Sequence, residues 1–174
     1  HGWIKPTVYQ GIYNPLTRNA ETELNAALNY FGMRFYAYNP LAGGILTGRY
    51  TKYEDAPEDG RFTHRPNYQG RYWKKTYFDA VNKINETAQK HGISIVDATY
   101  RWMAYHSMLD GNRGDSILIG ASKIDHLTQN IEALNQGALP EDVVKAFEDA
   151  WTITKGDSPA YFTLYKGNAP TGGK

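Results

Sequence analysis

Three short runs of β-branched and aromatic residues, each followed by a segment with helical spacing, constrain the fold of this chain. The runs occupy residues 7–13, 33–38 and 115–120. Proline, glycine or asparagine lies beside each run, as is typical at the ends of strands. Strands that alternate with helices predict parallel βα units, whose ligands gather at the carboxyl ends of the strands. Three such units cannot close an eight-stranded barrel.

The segments after these runs carry apolar residues at helical spacing. We predict helices over residues 18–31, 77–91, 94–108, 124–135 and 140–155. Residues 50–75 show no steady period, although they are rich in charges, prolines, glycines and aromatics. A loop of that length inside a compact domain is usually functional or mobile, so we predict a lid there.

The composition argues against several classes of protein. The 174 residues include 19 Lys and Arg against 18 Asp and Glu, a net charge of +1 that gives nucleic acid or an anionic membrane little attraction. There is no cysteine, and no signal peptide or membrane-spanning run of about 20 apolar residues. His64, His91 and His106 lack metal-ligand spacing. We expect a soluble, cytoplasmic protein without a metal that acts on a small molecule.

Residues 35–48, Phe-Tyr-Ala-Tyr-Asn-Pro-Leu-Ala-Gly-Gly-Ile-Leu-Thr-Gly, closely resemble the seventh-strand motif of aldo-keto reductases. Residues 6–10 then resemble the family's sixth strand, and residues 119–130 its eighth strand and the helix after it. The resemblance covers nearly the whole chain and is closest to the branch of aflatoxin-aldehyde and succinic-semialdehyde reductases. It implies an α/β fold class, a partial TIM (β/α)8 barrel with strands six to eight, their helices and the C-terminal segment, as one domain over residues 1–174.

The resemblance also implies a function for the complete protein, the reduction of aldehydes or ketones to alcohols with NADPH. The family's catalytic Asp, Tyr, Lys and His come from earlier strands, so we expect no catalytic residue here and no activity from this chain alone. The first residue is His1, so we expect a fragment completed by an amino-terminal half or another chain, or a homo-oligomer. A non-catalytic alternative stays open: a half-barrel, or a reductase-like nucleotide-binding subunit that acts through a partner chain.

The predicted cofactor site follows the ends of the strands. The Gln10 amide can donate to and accept from a nicotinamide carboxamide, and the Tyr38 ring can stack on the nicotinamide. The alternative for Gln10 is a polar strand end that is hydrogen-bonded to a neighbouring loop. The alternative for Tyr38 is an ordinary core tyrosine. The loop after Tyr38 suits a pyrophosphate, and the resemblance assigns the adenosine end to the loop and helix after the third strand. The other predicted cofactor residues are Asn39, Pro40, Leu41, Gly43, Gly44, Thr47, Arg49, Arg61, Ser122, Lys123, His126, Gln129 and Asn130.

Two arginines and a terminal aromatic pair complete the predicted site. His126 stands where many family members carry a phosphate-binding arginine, so NADP selectivity would depend on other residues, Lys123, Ser122 and Arg61. Surface arginines in loops are most often solvated, but family motifs favour a role in binding phosphate or carboxylate for Arg61 and Arg71. We expect Arg71 to bind a substrate carboxylate. Tyr161 and Phe162 resemble the segment that walls the substrate pocket, although Thr163 follows them where the branch often has arginine.

Overall fold

Three parallel strands form the sheet, in the order in which they occur along the chain. The computed structural model describes residues 2–55 and 60–162. The strands are β1 (Val8–Ile12), β2 (Arg34–Tyr38) and β3 (Ser116–Ile117). All three predicted strands are confirmed, although β3 is shorter than the run at residues 115–120. The register pairs Gln10 with Tyr36 and Ile12 with Tyr38.

Seven α-helices lie among the described residues, and they confirm the predicted helical segments. The first predicted helix, over residues 18–31, divides into a 3-10 turn (Asn19–Glu21) and α1. Residues 50–75 contain two short helices and the start of a third. The helices are α1 (Leu24–Phe31), α2 (Arg61–His64), α3 (Pro66–Tyr72), α4 (Lys75–Gln89), α5 (Ile95–Tyr105), α6 (Ile124–Leu134) and α7 (Glu141–Thr154).

The face of the sheet that carries Phe35 and Ala37 packs into the core. Phe35 and Ala37 of β2 are fully buried there, and the Phe35 ring contacts the Tyr13 ring edge to face with centroids 5.9 Å apart. Gly11 is required on this face because a Cβ atom would lie 2.6 Å from the Tyr9 ring and 2.9 Å from the Phe35 ring. α4 packs along α7, and α5 packs along α6.

A buried carboxylate fixes the short strand β3 beside β2. Asp115 accepts hydrogen bonds from the amides of Phe35 (2.7 Å) and Asp110 (2.9 Å), and it forms an ion pair with Arg113. Burial would raise the pKa of Asp115, but the bonds from Arg113 and the two amides outweigh it and hold the pKa below its ordinary value. The charged form of Asp115 therefore stabilises the junction between the strands.

The predicted fold class, a partial TIM (β/α)8 barrel built from strands six to eight and the C-terminal segment, is wrong. The open three-stranded parallel sheet and its helices agree with an amino-terminal fragment of such a barrel. The physical reason is that every βα unit shows the same pattern of a buried strand and an amphipathic helix. That pattern predicts that βα units are present, but it does not show which unit of the barrel each one is.

The helices of the described segments, residues 2–55 and 60–162, include none that is both long enough and apolar enough to cross a membrane. Within the same segments, no group of three or more His, Cys, Asp or Glu side chains is arranged to hold a metal ion.

Candidate cofactor and substrate site

Gln10 and Tyr38 lie on the same face of the sheet. Side chains alternate along a strand, and residues paired in register share a face. Gln10 therefore lies beside its partner Tyr36 and on the same face as Tyr38, which pairs with Ile12. Gln10 is exposed, and Tyr36 and Tyr38 are half-buried. Tyr38 ends β2 as predicted, whereas Gln10 lies two residues before the end of β1. The structure therefore brings both predicted nicotinamide residues to one partly open face.

Asn39 connects the end of β2 to the segments around it. Its φ of 59° is left-handed, a conformation that asparagine tolerates better than most residues. The Asn39 carbonyl oxygen accepts a bond from the Asn14 amide at 3.0 Å. The Asn39 side chain accepts from the Tyr68 hydroxyl at 3.4 Å and donates to the Tyr72 hydroxyl at 3.3 Å. Asn39 thus holds α3 against the carboxyl end of the sheet.

The loop after Asn39 is tightly turned and offers one place where its backbone can be approached. Gly44 has a φ of 115° and no atom within 4 Å of the position of a Cβ atom, so its backbone faces open space. Its carbonyl oxygen accepts from the Thr47 hydroxyl at 2.7 Å, and its amide donates to the Leu41 carbonyl at 2.8 Å. Pro40 is buried, while Thr47 and Arg49 are exposed. The space beside Gly44 is open, but its amide and carbonyl are both bonded within the loop, so donors to a ligand would have to come from exposed side chains such as Arg49.

Two arginines flank one tyrosine in the segment formed by α2 and α3. The guanidinium carbon of Arg61 lies 5.0 Å from the centroid of the Tyr68 ring, and that of Arg71 lies 5.8 Å from the same centroid. A cleft of about 450 Å³ adjoins them and is lined by Gly60, Arg61, His64, Arg65, Asn67 and Tyr68. Sequence reasoning missed the contribution of His64, Arg65, Asn67 and Tyr68. The basic residues at positions 61, 64 and 65 share one helical face and were the available signal.

Neutral phenols surround the Arg71 guanidinium. Burial raises the pKa of Tyr72, against the opposing effects of Arg71 and Asn39, and burial raises the pKa of Tyr77 to about 12. Both hydroxyls therefore stay protonated at neutral pH and do not neutralise Arg71. Within residues 2–55 and 60–162, no carboxylate forms an ion pair with Arg61 or Arg71. Guanidinium groups bind phosphates and carboxylates, so this pair of arginines is a candidate site for an anionic ligand.

The residues predicted to bind the adenosine end lie around the start of α6. Ser122, Lys123, His126 and Gln129 are exposed, and Lys123 is the residue at the N-cap of the helix. Asn130 differs, because only 4% of it is exposed. The structure gathers the first four residues on one solvent-facing surface and turns Asn130 inward.

The terminal aromatic pair lies beside the start of α1. The Tyr161 hydroxyl donates to the Glu23 carboxylate, and the Tyr161 carbonyl oxygen accepts from the Tyr9 hydroxyl at 3.3 Å. Tyr9 points to the face opposite Gln10, since side chains alternate along β1. Phe162 is half exposed and contacts the Tyr161 ring. These hydrogen bonds connect Tyr161 to α1 and β1 and not to Arg71; Thr163 lies outside the described residues.

Comparison with known proteins connects this arrangement to relatives. The chain is 45% identical over 172 residues to aflatoxin B1 aldehyde reductase member 2 of Rattus norvegicus, an alignment that covers 93% of this chain and 47% of the relative. It is 46% identical to aldo-keto reductase family 7 member A3 of Homo sapiens, with 93% and 52% covered. A glycerol dehydrogenase from Gluconobacter oxydans, 20% identical, shares the fold with a TM-score of 0.63 over 90% of this chain and 46% of the other.

The chain spans about half the length of the curated relatives it matches. The match is to the amino-terminal part of these relatives, so the prediction of a carboxy-terminal half is wrong. The model of the Aldo/keto reductase family matches residues 1–152, most of the chain. The chain therefore belongs to the aldo/keto reductase family.

Proposed function

We propose that this chain forms the NADPH-binding portion of an oxidoreductase that reduces aldehydes or ketones to alcohols. The observation that carries the proposal is the placement of Gln10 and Tyr38 on one partly open face of the sheet, next to the loop that begins at Asn39. The relatives named as aldehyde reductases support the same class of reaction.

The open face of the sheet would hold the nicotinamide. The Gln10 amide is exposed and can both donate to and accept from the carboxamide. The Tyr38 ring, which packs on the core along one side, can offer its other side for stacking. When bound, NADPH supplies the hydride. The role of these two residues is to orient the ring so that one of its faces is directed at the substrate.

The phosphates would follow the loop after β2 and the start of α6. The open space beside Gly44 and the Arg49 and Arg61 side chains suit the pyrophosphate, and the Thr47 hydroxyl could join them by leaving the Gly44 carbonyl. Lys123 and Ser122, with His126 and Gln129 beside them, suit the 2′-phosphate and the adenine. We assign buried Asn130 to the support of this helix.

Arg71 is our candidate for binding a substrate carboxylate. Its guanidinium lies near the rings of Tyr68 and Tyr72, and the Tyr72 hydroxyl accepts a hydrogen bond from Asn39, the residue that follows Tyr38. A planar guanidinium binds a carboxylate with two parallel hydrogen bonds. Tyr161 and Phe162 are proposed to wall the substrate pocket, which requires the terminal segment to leave Glu23.

A second candidate is a non-catalytic nucleotide-binding subunit that acts through a partner chain or as a homo-oligomer. The outer strands β1 and β3 favour it, because each pairs with β2 on one side only within the described sheet. Both candidates require nucleotide binding and differ in hydride transfer. Neither requires nucleic acid or a membrane.

Titration of this chain with NADPH and with NADH, followed by tryptophan fluorescence, tests the proposal. We expect NADPH to bind more tightly, and Lys123→Ala to weaken NADPH binding about tenfold, as the loss of one charge-assisted bond to phosphate predicts. NADH binding should stay unchanged. The control is Lys90→Ala, which removes an exposed lysine at the end of α4. Equal affinity of the unchanged chain and Lys123→Ala for NADPH, or no binding at all, would contradict the proposal.

A further inference from the structure

The Tyr68 ring is shared by Arg61 and Arg71, the two arginines to which we assign anionic groups. The guanidinium carbons of Arg61 and Arg71 lie 5.0 and 5.8 Å from its centroid. Each neighbouring tyrosine ring contacts a single arginine: Tyr72 contacts Arg71, and Tyr50 contacts Arg49. Within the described residues, Tyr68 alone pairs with both. Its position therefore influences two cations at once.

The Tyr68 ring is itself fixed to the end of the sheet. Its hydroxyl donates to the Asn39 side chain at 3.4 Å. On the loop side, a Cβ atom at Gly43 would lie 2.8 Å from the Tyr68 ring, so the absence of a side chain at Gly43 admits the ring at this distance. Gly43 also has a φ of 72°, which disfavours other residues there. The ring is held between the loop after β2 and α3.

A fixed ring restricts the conformations of an arginine that stacks on it. Free arginine side chains populate many rotamers, and ordering them opposes anion binding. Attraction between a guanidinium and a tyrosine ring favours those rotamers that keep the cation near the ring. An arginine already placed in this way loses less entropy when an anion binds.

We propose that Tyr68 is a positioning residue that orients Arg61 towards the cofactor phosphates and Arg71 towards the substrate carboxylate. The inference rests on the function proposed above. It adds that one ring sets the spacing between the two anion sites, so the enzyme favours substrates whose carboxylate lies at a fixed distance from the reacting carbonyl. Packing against the loop at Gly43, with a lesser contribution from the hydroxyl, holds the ring, and the ring orients the cations.

Nitrogen-15 NMR of the arginine side chains tests the positioning without any ligand. In the unchanged chain, the Nε–H signals of Arg61 and Arg71 should be displaced by the ring current of Tyr68. Tyr68→Leu should remove both displacements, whereas Tyr68→Phe, which keeps the ring, should retain most of each. Tyr30→Leu replaces a tyrosine that is 84% exposed on α1 and serves as the control. Signals unchanged by Tyr68→Leu would overturn the inference.

Binding of two small anions separates this inference from the function on which it rests. Inorganic pyrophosphate probes Arg61, and succinate probes Arg71. Arg61→Ala should weaken the binding of pyrophosphate only, and Arg71→Ala should weaken the binding of succinate only. Tyr68→Leu should weaken the binding of both anions about three- to fivefold, the range expected for a cation–π contact. Tyr68→Phe, which keeps the ring, should bind both anions about as tightly as the unchanged chain does.

The outcomes have different meanings. If neither arginine variant affects its probe, the assigned anion sites fail, and this inference fails with them. If the arginine variants act as expected but Tyr68→Leu leaves both affinities unchanged, only the role of Tyr68 fails. Melting curves of Tyr68→Leu and Tyr68→Phe distinguish a loss of positioning from a loss of the fold.

Discussion

At the scale of single residues, Asn39 connects the parts of the candidate site. It follows Tyr38, receives a bond from Asn14 and contacts the hydroxyls of Tyr68 and Tyr72. The sequence predicted Asn39 only as part of a cofactor loop. Its contacts depend on α3 lying against the loop, which no local pattern reveals.

Replacement of Arg71 by alanine tests whether this residue selects acidic substrates. A charge-assisted hydrogen bond contributes about 1.5–3 kcal/mol, so Arg71→Ala should lower kcat/KM for succinic semialdehyde about ten- to a hundredfold in the active protein. An uncharged aromatic aldehyde should be reduced nearly as well as before. Steady-state kinetics with both aldehydes measure the difference.

The control for this experiment is Lys52→Ala, which removes an exposed cationic side chain that does not line the cleft. This control should change kcat/KM slightly, and by the same factor for both substrates. Equal losses on the acidic and neutral aldehydes in Arg71→Ala would show that Arg71 does not bind the carboxylate.

At the scale of elements, residues 60–73 are more regular than their composition indicates. They contain α2 and α3, and the Trp73 ring contacts Phe62 and Tyr50 with centroids 5.2 Å away in each case. Helices of four and seven residues are too short to display a helical period. A lid at residues 50–75 stays a prediction.

A group of polar contacts joins α5 to the turn after α6. Arg101 donates to the carbonyls of Gly137 (2.9 Å) and Ala138 (2.6 Å). The His106 Nε2 atom accepts from the Leu139 amide at 2.9 Å, which requires a neutral ring with its proton on Nδ1. Burial lowers the pKa of His106, and the neighbouring Arg101 lowers it further. The folded protein therefore favours the neutral ring.

This junction should make stability depend on pH. Because the pKa of His106 is lower in the folded protein, its contribution is fully present above about pH 6.5, the ordinary histidine value, and is lost as the pH falls through that value and the folded pKa. His106→Gln keeps an acceptor for Leu139 and cannot be protonated. Urea midpoints measured from about pH 8 to pH 5 should fall less in His106→Gln than in the unchanged chain.

A second histidine requires a control in the same experiment. His91 contacts Asp142 at 2.8 Å between the end of α4 and the start of α7. The chain with His106 and the His106→Gln variant should therefore both also carry His91→Gln when they are compared. Parallel pH profiles of the two chains would contradict the role assigned to His106.

At the scale of the whole molecule, apolar surface remains exposed on α6. Ile124, Leu127 and Ile131 lie at helical spacing on one face and are 81%, 40% and 47% exposed. The sequence predicted a helix with these residues on one face; the structure buries Asn130 and Ala133 of α6 and packs α6 against α5. Apolar faces of this kind favour association.

We expect the 174-residue chain to self-associate through this surface and the edges of its sheet. The double variant Ile124→Glu with Ile131→Glu should shift the population towards monomer, because charges on an apolar contact oppose association. Light scattering after size-exclusion chromatography measures the mass. A matched variant, Asp125→Glu with Glu132→Asp, should leave the mass unchanged. A stable monomer of the unchanged chain at high concentration would contradict this expectation.

The sequence by itself determined the strands, the helices and the family, because strand and helix periods and the motif at residues 35–48 are local properties of the chain. Tertiary structure decided the rest. Packing buries Asn130, and the approach of α3 to the loop after β2 places Tyr68 between two arginines. Each of these depends on contacts between residues distant in sequence, and the repeated βα pattern does not encode which unit is which.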